Sequence, residues 1–245
     1  MDIKLSIVVP CYNEIENLPD LFEAFSRVIN RKDIELIVVN NGSNDGSGEL
    51  IEKLLPKYPF ARVNHVAINK GYGYGILSGL NVAKGDFLGW THADLQTDPR
   101  DVVKALELIE YHKDNKHIYI KGDRKGRPVL DQLFTIGMSL FETLYMGRVL
   151  WDINAQPNIF HRTFYEQWQH KAPFDFSLDL FVLYMAKKMN LKIKRFDVIF
   201  PERQHGESSW NTSWNEKWKF IKRTLSFSIE LKKDMKHDPL YRSSN

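Results

Sequence analysis

The chain has 245 residues, 43% of them hydrophobic and 27% charged, and carries a net charge of +3. That much apolar material supports a large packed core, so the chain is not a disordered one, and a single cysteine, Cys11, excludes an intrachain disulfide and suits a reducing compartment. The charge excess is local: residues 206–245 hold eight Lys/Arg against five Asp/Glu, the whole of the net +3, while the rest balances, and no nucleic-acid partner is expected.

The first residues, MDIKLSIVVP, lack the basic start, long apolar run and cleavage site of a secretory signal, so none is expected. No stretch is apolar enough to span a bilayer; the nearest, Leu133 to Trp151, is interrupted by Glu142 and Arg148. Short β-rich runs predict strands at Leu5–Pro10, Glu35–Val39, Arg62–Ile68 and Asp86–Trp90. Helical patterns fall between and after them at Ile15–Ile29, Gly48–Leu55, Gly75–Ala83 and Pro99–Lys113. The last has Asp98 as N-cap and Pro99 at the first helical position. Alternating strands and helices predict a mostly parallel sheet covered on both faces, with ligands at the carboxyl ends of its strands. The second half is less regular: strands at Ile118–Lys121, Pro157–His161 and Lys192–Phe200, helices at Leu130–Met146 and Asp179–Met189. The composition shift near Gly206 is the one boundary legible in it.

Four polar clusters follow the first four strands. Pro10-Cys11-Tyr12-Asn13-Glu14 is placed to meet a nucleotide, or serves as a helix start capped by Asn13. Asn40-Asn41-Gly42-Ser43-Asn44-Asp45-Gly46 suits a base or ribose, and alone is also an ordinary polar turn. Asn69-Lys70-Gly71-Tyr72-Gly73-Tyr74-Gly75 has glycines that would let backbone approach a phosphate at a helix start, yet it matches neither a Walker loop nor GxGxxG. The fourth, Thr91 to Pro99, is the most informative. Asp94 and Gln96 alternate, so an extended segment points both to one side. A carboxylate and an amide oxygen there suit a hard divalent cation, Mg²⁺ or Mn²⁺, shared with a diphosphate.

Taken in order and spacing, PCYNEIENL, VVNNGSNDGS, NKGYGYGILSGLNVAKGD and HADLQTDP resemble the family-2 glycosyltransferases of the GT-A fold. The branch they look most like is the dolichyl-phosphate mannose synthase and polyprenyl-phosphate glycosyltransferase group, whose hallmark is DADLQ-x-x-P. The resemblance covers roughly residues 4–210. It extends to Lys121-Gly122-Asp123-Arg124, to Asp152-Ile153-Asn154-Ala155-Gln156-Pro157, and to Arg203-Gln204-His205-Gly206-Glu207-Ser208-Ser209, a loop that in the family closes over the diphosphate. It departs from the family at His92, at Asn40 and Asn41 in place of Asp-Asp, and at Ser209 in place of lysine. His92 suits either a ligand to a softer metal or a core position.

The resemblance implies an α/β, Rossmann-like GT-A domain over residues 1–208 and an amphipathic basic helical tail over 209–245. It implies an inverting transfer from a nucleotide-sugar donor to a lipid-linked acceptor, a polyprenyl phosphate. The alternatives are a hydroxyl of a lipid-linked glycan or lipopolysaccharide, and a degenerate nucleotide-binding module. Asp94, Gln96 and His92 form the metal set. Pro10, Tyr12, Glu14, Asn41, Lys70, Arg124 and Arg203 form the donor site. Asp94, Asp152 and Arg203 carry catalysis, Asp152 serving as base where the acceptor is a hydroxyl. In the tail, Ser213 and Glu216 form a capping box, and Trp214, Trp218, Ile221, Leu225 and Ile229 recur at helical spacing beside lysines. This pattern suits an anionic membrane surface, which places the chain in the cytoplasm, peripheral at the inner face of the membrane; self-association is left open.

Overall fold

The computed structural model describes residues 2–201 and 214–237; the side chains at 130, 214–217, 220 and 235–237 fall outside that description. Contacts divide the chain into two compact units. One comprises Met1–Pro128 with Asn154–His205, the other Val129–Ile153 with Gly206–Asn245.

The first unit is a seven-stranded sheet: β1 Leu5–Cys11, β2 Ile34–Asn41, β3 Ala61–Val66, β4 Phe87–Trp90, β5 Ile118–Lys125, β6 Asn158–His161 and β7 Lys192–Ile199. Their order is β3-β2-β1-β4-β6-β5-β7, and β6 alone runs against its neighbours. This is the expected mostly parallel α/β architecture. The central strands β1 and β4 are almost wholly buried because both faces are covered. On one side Leu5, Ile7, Val9 and Cys11 join Leu21, Phe22 and Phe25 of α1 (Leu18–Ser26) and Val102, Ala105 and Leu106 of α4 (Arg100–Glu110) in one core. On the other side α3 (Tyr72–Val82) lies so close that a Cβ on Gly79 would come within 2.5 Å of Val8 and 2.8 Å of Val39. The chain reverses its direction of travel across the sheet between β1 and β4. A crevice opens at such a point, beyond the carboxyl ends of the strands.

Several boundaries differ from expectation for local reasons. The helix expected over Ile15–Ile29 starts only at Leu18, with Pro19 in its first turn. The chain before it is held elsewhere: Asn13 does not cap that helix, and its Oδ1 accepts from the Asn44 amide at 3.0 Å. Asp98 does hold the start of α4, its Oδ1 accepting from the Arg100 amide at 2.8 Å. Strand β5 runs four residues past Lys121, because its ladder with β7 continues to Lys125 opposite Ile199. Two short helices complete this unit with α2 (Ser47–Leu54): α6 (Arg162–Trp168), which the pattern did not predict, and α7 (Leu178–Lys188).

The second unit pairs α5 (Val129–Met146) with α8 (Trp214–His237). Ser228 Oγ lies 2.8 Å from both carboxylate oxygens of Glu142, and both residues are fully buried. Lys232 Nζ donates to the Tyr145 carbonyl and lies 4.3 Å from the centre of its ring. Val129, Leu133, Ile136, Leu140 and Leu144, spaced along one side of α5, are all exposed. No helix among the described residues is long and apolar enough to cross a membrane.

Candidate active site

The register of the parallel strands brings the four polar clusters to one edge: Cys11 lies opposite Asn40, Asn41 opposite Val66, and Val8 opposite Trp90. Side chains then tie the loops together. Between the first and second, the Asn13 amide donates to Ser43 Oγ (3.1 Å), the Glu14 amide to Ser47 Oγ (3.1 Å) and the Ile15 amide to Asp45 Oδ2 (3.2 Å). Burial pushes the Asp45 carboxyl up, but the Ser47 hydroxyl and the amides of Ser47 and Ile15 outweigh it, so the group ionises below its usual range. Asn41 joins the second loop to the third, Nδ2 donating to Gly71 O at 3.1 Å and Asn69 Oδ1 at 3.4 Å. Its Oδ1 is buried with no hydrogen-bond partner among the described residues. A buried orphan acceptor costs roughly 1–3 kcal/mol, so it marks a place where a donor on a ligand would be gained.

The third loop reaches the fourth through Tyr72, whose hydroxyl lies 3.1 Å from His92 Nε2. Its ring stacks on Phe176 at 4.6 Å. The fourth loop is closed at its base by Thr91 Oγ1 against Thr97 Oγ1, 2.6 Å apart. The expectation of an extended segment there is overturned. Leu95 sits in the left-handed region at φ 57°, and the Gln96 amide turns back onto Asp94 Oδ1 at 3.2 Å. One residue with positive φ breaks the two-residue alternation, so Asp94 and Gln96 are joined by a tight turn and do not share a strand face. Asp94 is 3% exposed, and Gln96 Nε2 donates to the Pro201 carbonyl at 2.9 Å.

The glycines of the third cluster also have a different use from the one expected. The Tyr74 amide at the start of α3 donates to Phe174 O at 2.9 Å, so that donor is taken by protein. A Cβ on Gly71 or Gly73 would sit 2.4 Å from Phe174 O or 2.5 Å from Pro173 O. The glycines let the Pro173–Asp175 backbone approach, and no phosphate is needed to explain them.

Pro10, Tyr12, Glu14, Lys70 and Arg124, all of the first unit, lie in or beside these strands and loops. Tyr12 is exposed, Lys70 Nζ lies 5.0 Å over the Tyr74 ring, and Glu14 accepts from Asn17 Nδ2 at 2.5 Å. Pro10 pairs with Val39 near the end of β1. The Arg124 guanidinium, on β5, stands 5.4 Å from the Phe200 ring. Asp152 belongs to the second unit, where its amide donates to Ser139 Oγ at 3.2 Å. Arg203 and the Arg203–Ser209 loop lie outside the described residues, as does Ser213.

Among the described residues no three His, Cys, Asp or Glu side chains gather as a protein-only metal cage. A hard cation can instead be held by one or two carboxylates together with substrate phosphates.

The sequence reading named Lys121 and Gln156 within longer segments but did not connect them with Asn158 and Asp179 in a buried polar group behind the fourth loop. Lys121, Asn158, Gln156 and Asp179 are all 2% exposed or less and are hydrogen-bonded to one another through Asn158. The signal was present as a lysine within IYIKGD and an aspartate within SLDLFVLYMA, polar residues set in apolar runs.

The glycosyl transferase family 2 profile matches residues 6–168. The chain belongs to glycosyl transferase family 2. Over 124 residues it is 32% identical to the dolichol-phosphate mannosyltransferase of Pyrococcus furiosus, a match covering 50% of this chain and 35% of that protein. Over 219 residues it is 27% identical to an undecaprenyl-phosphate 4-deoxy-4-formamido-L-arabinose transferase of Photorhabdus laumondii, covering 85% of this chain and 63% of the relative. The chain thus spans between a third and two thirds of the length of these relatives. In structure it resembles the mannosyltransferase PcManGT of Pyrobaculum calidifontis, solved with GDP-Man and Mn²⁺ (TM-score 0.66, 14% identity, 94% of this chain and 65% of that one). It also resembles glucosyl-3-phosphoglycerate synthase of Mycobacterium tuberculosis (TM-score 0.70, 16% identity, 93% and 79%). The GT-A fold of this family member is thereby shown.

Proposed function

We propose that the chain is an inverting glycosyltransferase that moves a sugar from a nucleotide-sugar donor to a polyprenyl phosphate. The observation that carries this reading is the joining of all four loops at one sheet edge around the buried Asp94. Relatives named as dolichol- and undecaprenyl-phosphate transferases support the acceptor class.

The nucleoside would lie against Pro10, Tyr12, Glu14 and Asn41, where the orphan Asn41 Oδ1 offers an acceptor to a base or ribose donor. Arg124, Lys70 and Arg203 would meet phosphate. A divalent cation held by Asp94 would neutralise charge on the departing nucleoside diphosphate, and a structural neighbour was solved with Mn²⁺. The acceptor phosphate oxygen forms the new bond to the anomeric carbon as the bond from that carbon to the diphosphate breaks. The acceptor is already anionic, so no general base is required.

The membrane side of the reading rests on the second unit. The exposed apolar row of α5 and the exposed Trp218, Lys219, Lys222 and Lys233 of α8 suit a peripheral position on an anionic surface. The test is transfer from GDP-, UDP- and dTDP-sugars to a short-chain polyprenyl phosphate, with Mg²⁺ and with Mn²⁺. We expect one donor to react, and Asp94→Ala to cost at least about 10²-fold in turnover with the fold intact. Near-normal turnover in Asp94→Ala would remove the carboxylate from this role.

A further inference from the structure

The turn that follows β2 is held from outside the site by a row of hydrogen bonds with two fixed ends. In the register of the sheet Asn40 lies opposite His65 of β3, the strand at the sheet's edge. A backbone amide only donates, and the Ser43 amide meets Asn40 Oδ1 at 3.1 Å. The other end of that side chain, Nδ2, therefore faces His65 Nδ1, 3.2 Å away. Nδ2 only donates, so Nδ1 must bring a lone pair and the ring carries its hydrogen on Nε2. Nε2 stands 2.9 Å from Glu52 Oε1 of α2, and a carboxylate accepts. Each joint from the Ser43 amide to the Glu52 carboxylate thus pairs one donor with one acceptor, and turning Asn40 or His65 over would set like against like. Gly48, in the first turn of α2, leaves room for the arrangement, since a Cβ there would come within 2.6 Å of Asn40 Nδ2.

The row ends where the nucleoside pocket begins. Asn41 is the next residue along β2, and Ser43 Oγ accepts from the Asn13 amide at 3.1 Å, so the turn at Asn40 carries the first loop with it. His65 and Glu52 are both exposed, and their side-chain hydrogen bonds go to Asn40 and to each other.

We propose that His65 is a positioning residue for the nucleoside pocket: oriented by Glu52, its Nδ1 lone pair holds the Asn40 amide, and Asn40 holds the Gly42–Ser43 turn beside Asn41. Asparagine and histidine are matched here. An aspartate at 40 could accept from Ser43 but would have no hydrogen to give Nδ1. The inference rests on the reading of the first two loops as the nucleoside pocket and deepens it.

The test measures binding of UDP, GDP and dTDP, each with Mn²⁺, to the full chain by calorimetry, with KM and kcat for the donor that reacts. His65→Phe keeps a flat ring and removes both nitrogens. It should weaken the tightest-binding nucleotide about fivefold, as loss of one hydrogen bond does, and raise donor KM alike with kcat within about twofold. Its melting point should stay within about 2 °C of wild type. Glu52→Leu should also weaken binding, by about threefold, whereas Glu52→Gln, whose amide oxygen still accepts from Nε2, should restore it. Nitrogen-15 spectra of labelled histidine at pH 8 read the wiring itself, His65 being assigned by its loss in His65→Phe. Wild-type His65 should carry hydrogen on Nε2 with Nδ1 bare, and Asn40→Asp should raise the fraction protonated at Nδ1. A wild-type ring protonated at Nδ1 would overturn the proposal. So would nucleotide affinity unchanged in His65→Phe, with or without a fall in melting point. A wild type that binds none of the three nucleotides would overturn the donor-site reading, and this inference with it.

Discussion

Replacing Glu142 by Gln should change how the α5–α8 pair responds to pH. Glu142 and Ser228 are both fully buried, and one hydroxyl serves both carboxylate oxygens at 2.8 Å. Ser228 Oγ is also 2.9 Å from the Thr224 carbonyl, so a protonated Glu142 completes a chain from carboxyl to hydroxyl to carbonyl. An ionised one has this single hydroxyl competing for it. Lys232, one turn on in α8, is committed to the Tyr145 carbonyl and ring. Burial accordingly pushes the carboxyl from 4.5 up to about 7, against the opposing effect of the Ser228 hydrogen bond. Between those two values the folded state keeps a proton that the unfolded chain has lost. Stability of the pair therefore falls as pH rises through that window and is flat above it. At roughly 1.4 kcal/mol per unit, the loss is at most about 3 kcal/mol. Glutamine is neutral throughout and still accepts from Ser228. The variant should match wild type near pH 4.5 and exceed it by up to about 3 kcal/mol at pH 8. Amide hydrogen exchange along α5 and α8 at the two pH values measures this. An unchanged pH slope in Glu142→Gln, or a wild type more protected at pH 8 than at pH 5, would refute the reasoning.

Two further outcomes follow from packing and charge. Gly73→Ala places a methyl 2.5 Å from Pro173 O and 2.8 Å from Asp175 O, both backbone atoms that cannot swing aside, so we expect a loss of about 3 kcal/mol in thermal unfolding; a melting point within a degree of wild type would show that the Pro173–Asp175 segment yields freely. The full chain should bind vesicles rich in anionic lipid, more weakly as salt rises, and Lys219→Glu, Lys222→Glu and Lys233→Glu together should weaken binding at least about 100-fold. Equal retention of wild type and triple variant on anionic vesicles at low salt would exclude electrostatic docking by α8.

The first four strands were legible as short, β-rich runs, as at Leu5–Pro10, where Ser6 is the one buried polar side chain. Strand β5 was cut short because Gly122-Asp123-Arg124-Lys125 looks like loop, and only the ladder with β7 holds it extended. Helix α6 has seven residues, too few for a helical period to register before the chain turns again. The site was legible as an edge: polar clusters after successive parallel strands must meet. Its internal wiring was not. Nothing in the string of residues says that Asn13 reaches Asn44, or that Leu95 takes a positive φ and turns Gln96 back on Asp94. The partnership of Lys121 with Asn158 and Asp179 was hidden for a related reason. Pattern rules read a lone polar residue in an apolar run as noise, whereas three such residues from separate elements satisfy one another in the core.

The asparagines at 40 and 41, where the family commonly has aspartates, bear on whether the chain is a working transferase or a decayed one. If decay had removed the carboxylates, the replacements would be indifferent to their surroundings. Asn40 instead uses both ends, its Oδ1 accepting from the Ser43 amide at 3.1 Å and its Nδ2 standing 3.2 Å from His65 Nδ1. Asn41 is 3% exposed, and its Nδ2 faces two oxygens, Gly71 O and Asn69 Oδ1, which also accept from the amides of Gly75 and Gly71. A carboxylate at 41 would set acceptor against acceptor in a buried place. Gly75 keeps this space open, since a Cβ there would come within 2.8 Å of Nδ2. The third loop is thus built around an amide, and the substitution at 41 is matched by Asn69 and Gly75. Asn41→Asp, the change toward the family pattern, should therefore destabilise this chain by about 2–3 kcal/mol, since it buries a charge against two oxygens. At roughly 2–4 °C per kcal/mol for a chain of this size, the melting point should fall by about 4–12 °C, more at pH 8 than at pH 4 where the carboxyl can carry a proton. A melting point for Asn41→Asp equal to wild type at pH 8 would mean that the amide is not needed, and that the departure at 41 is drift.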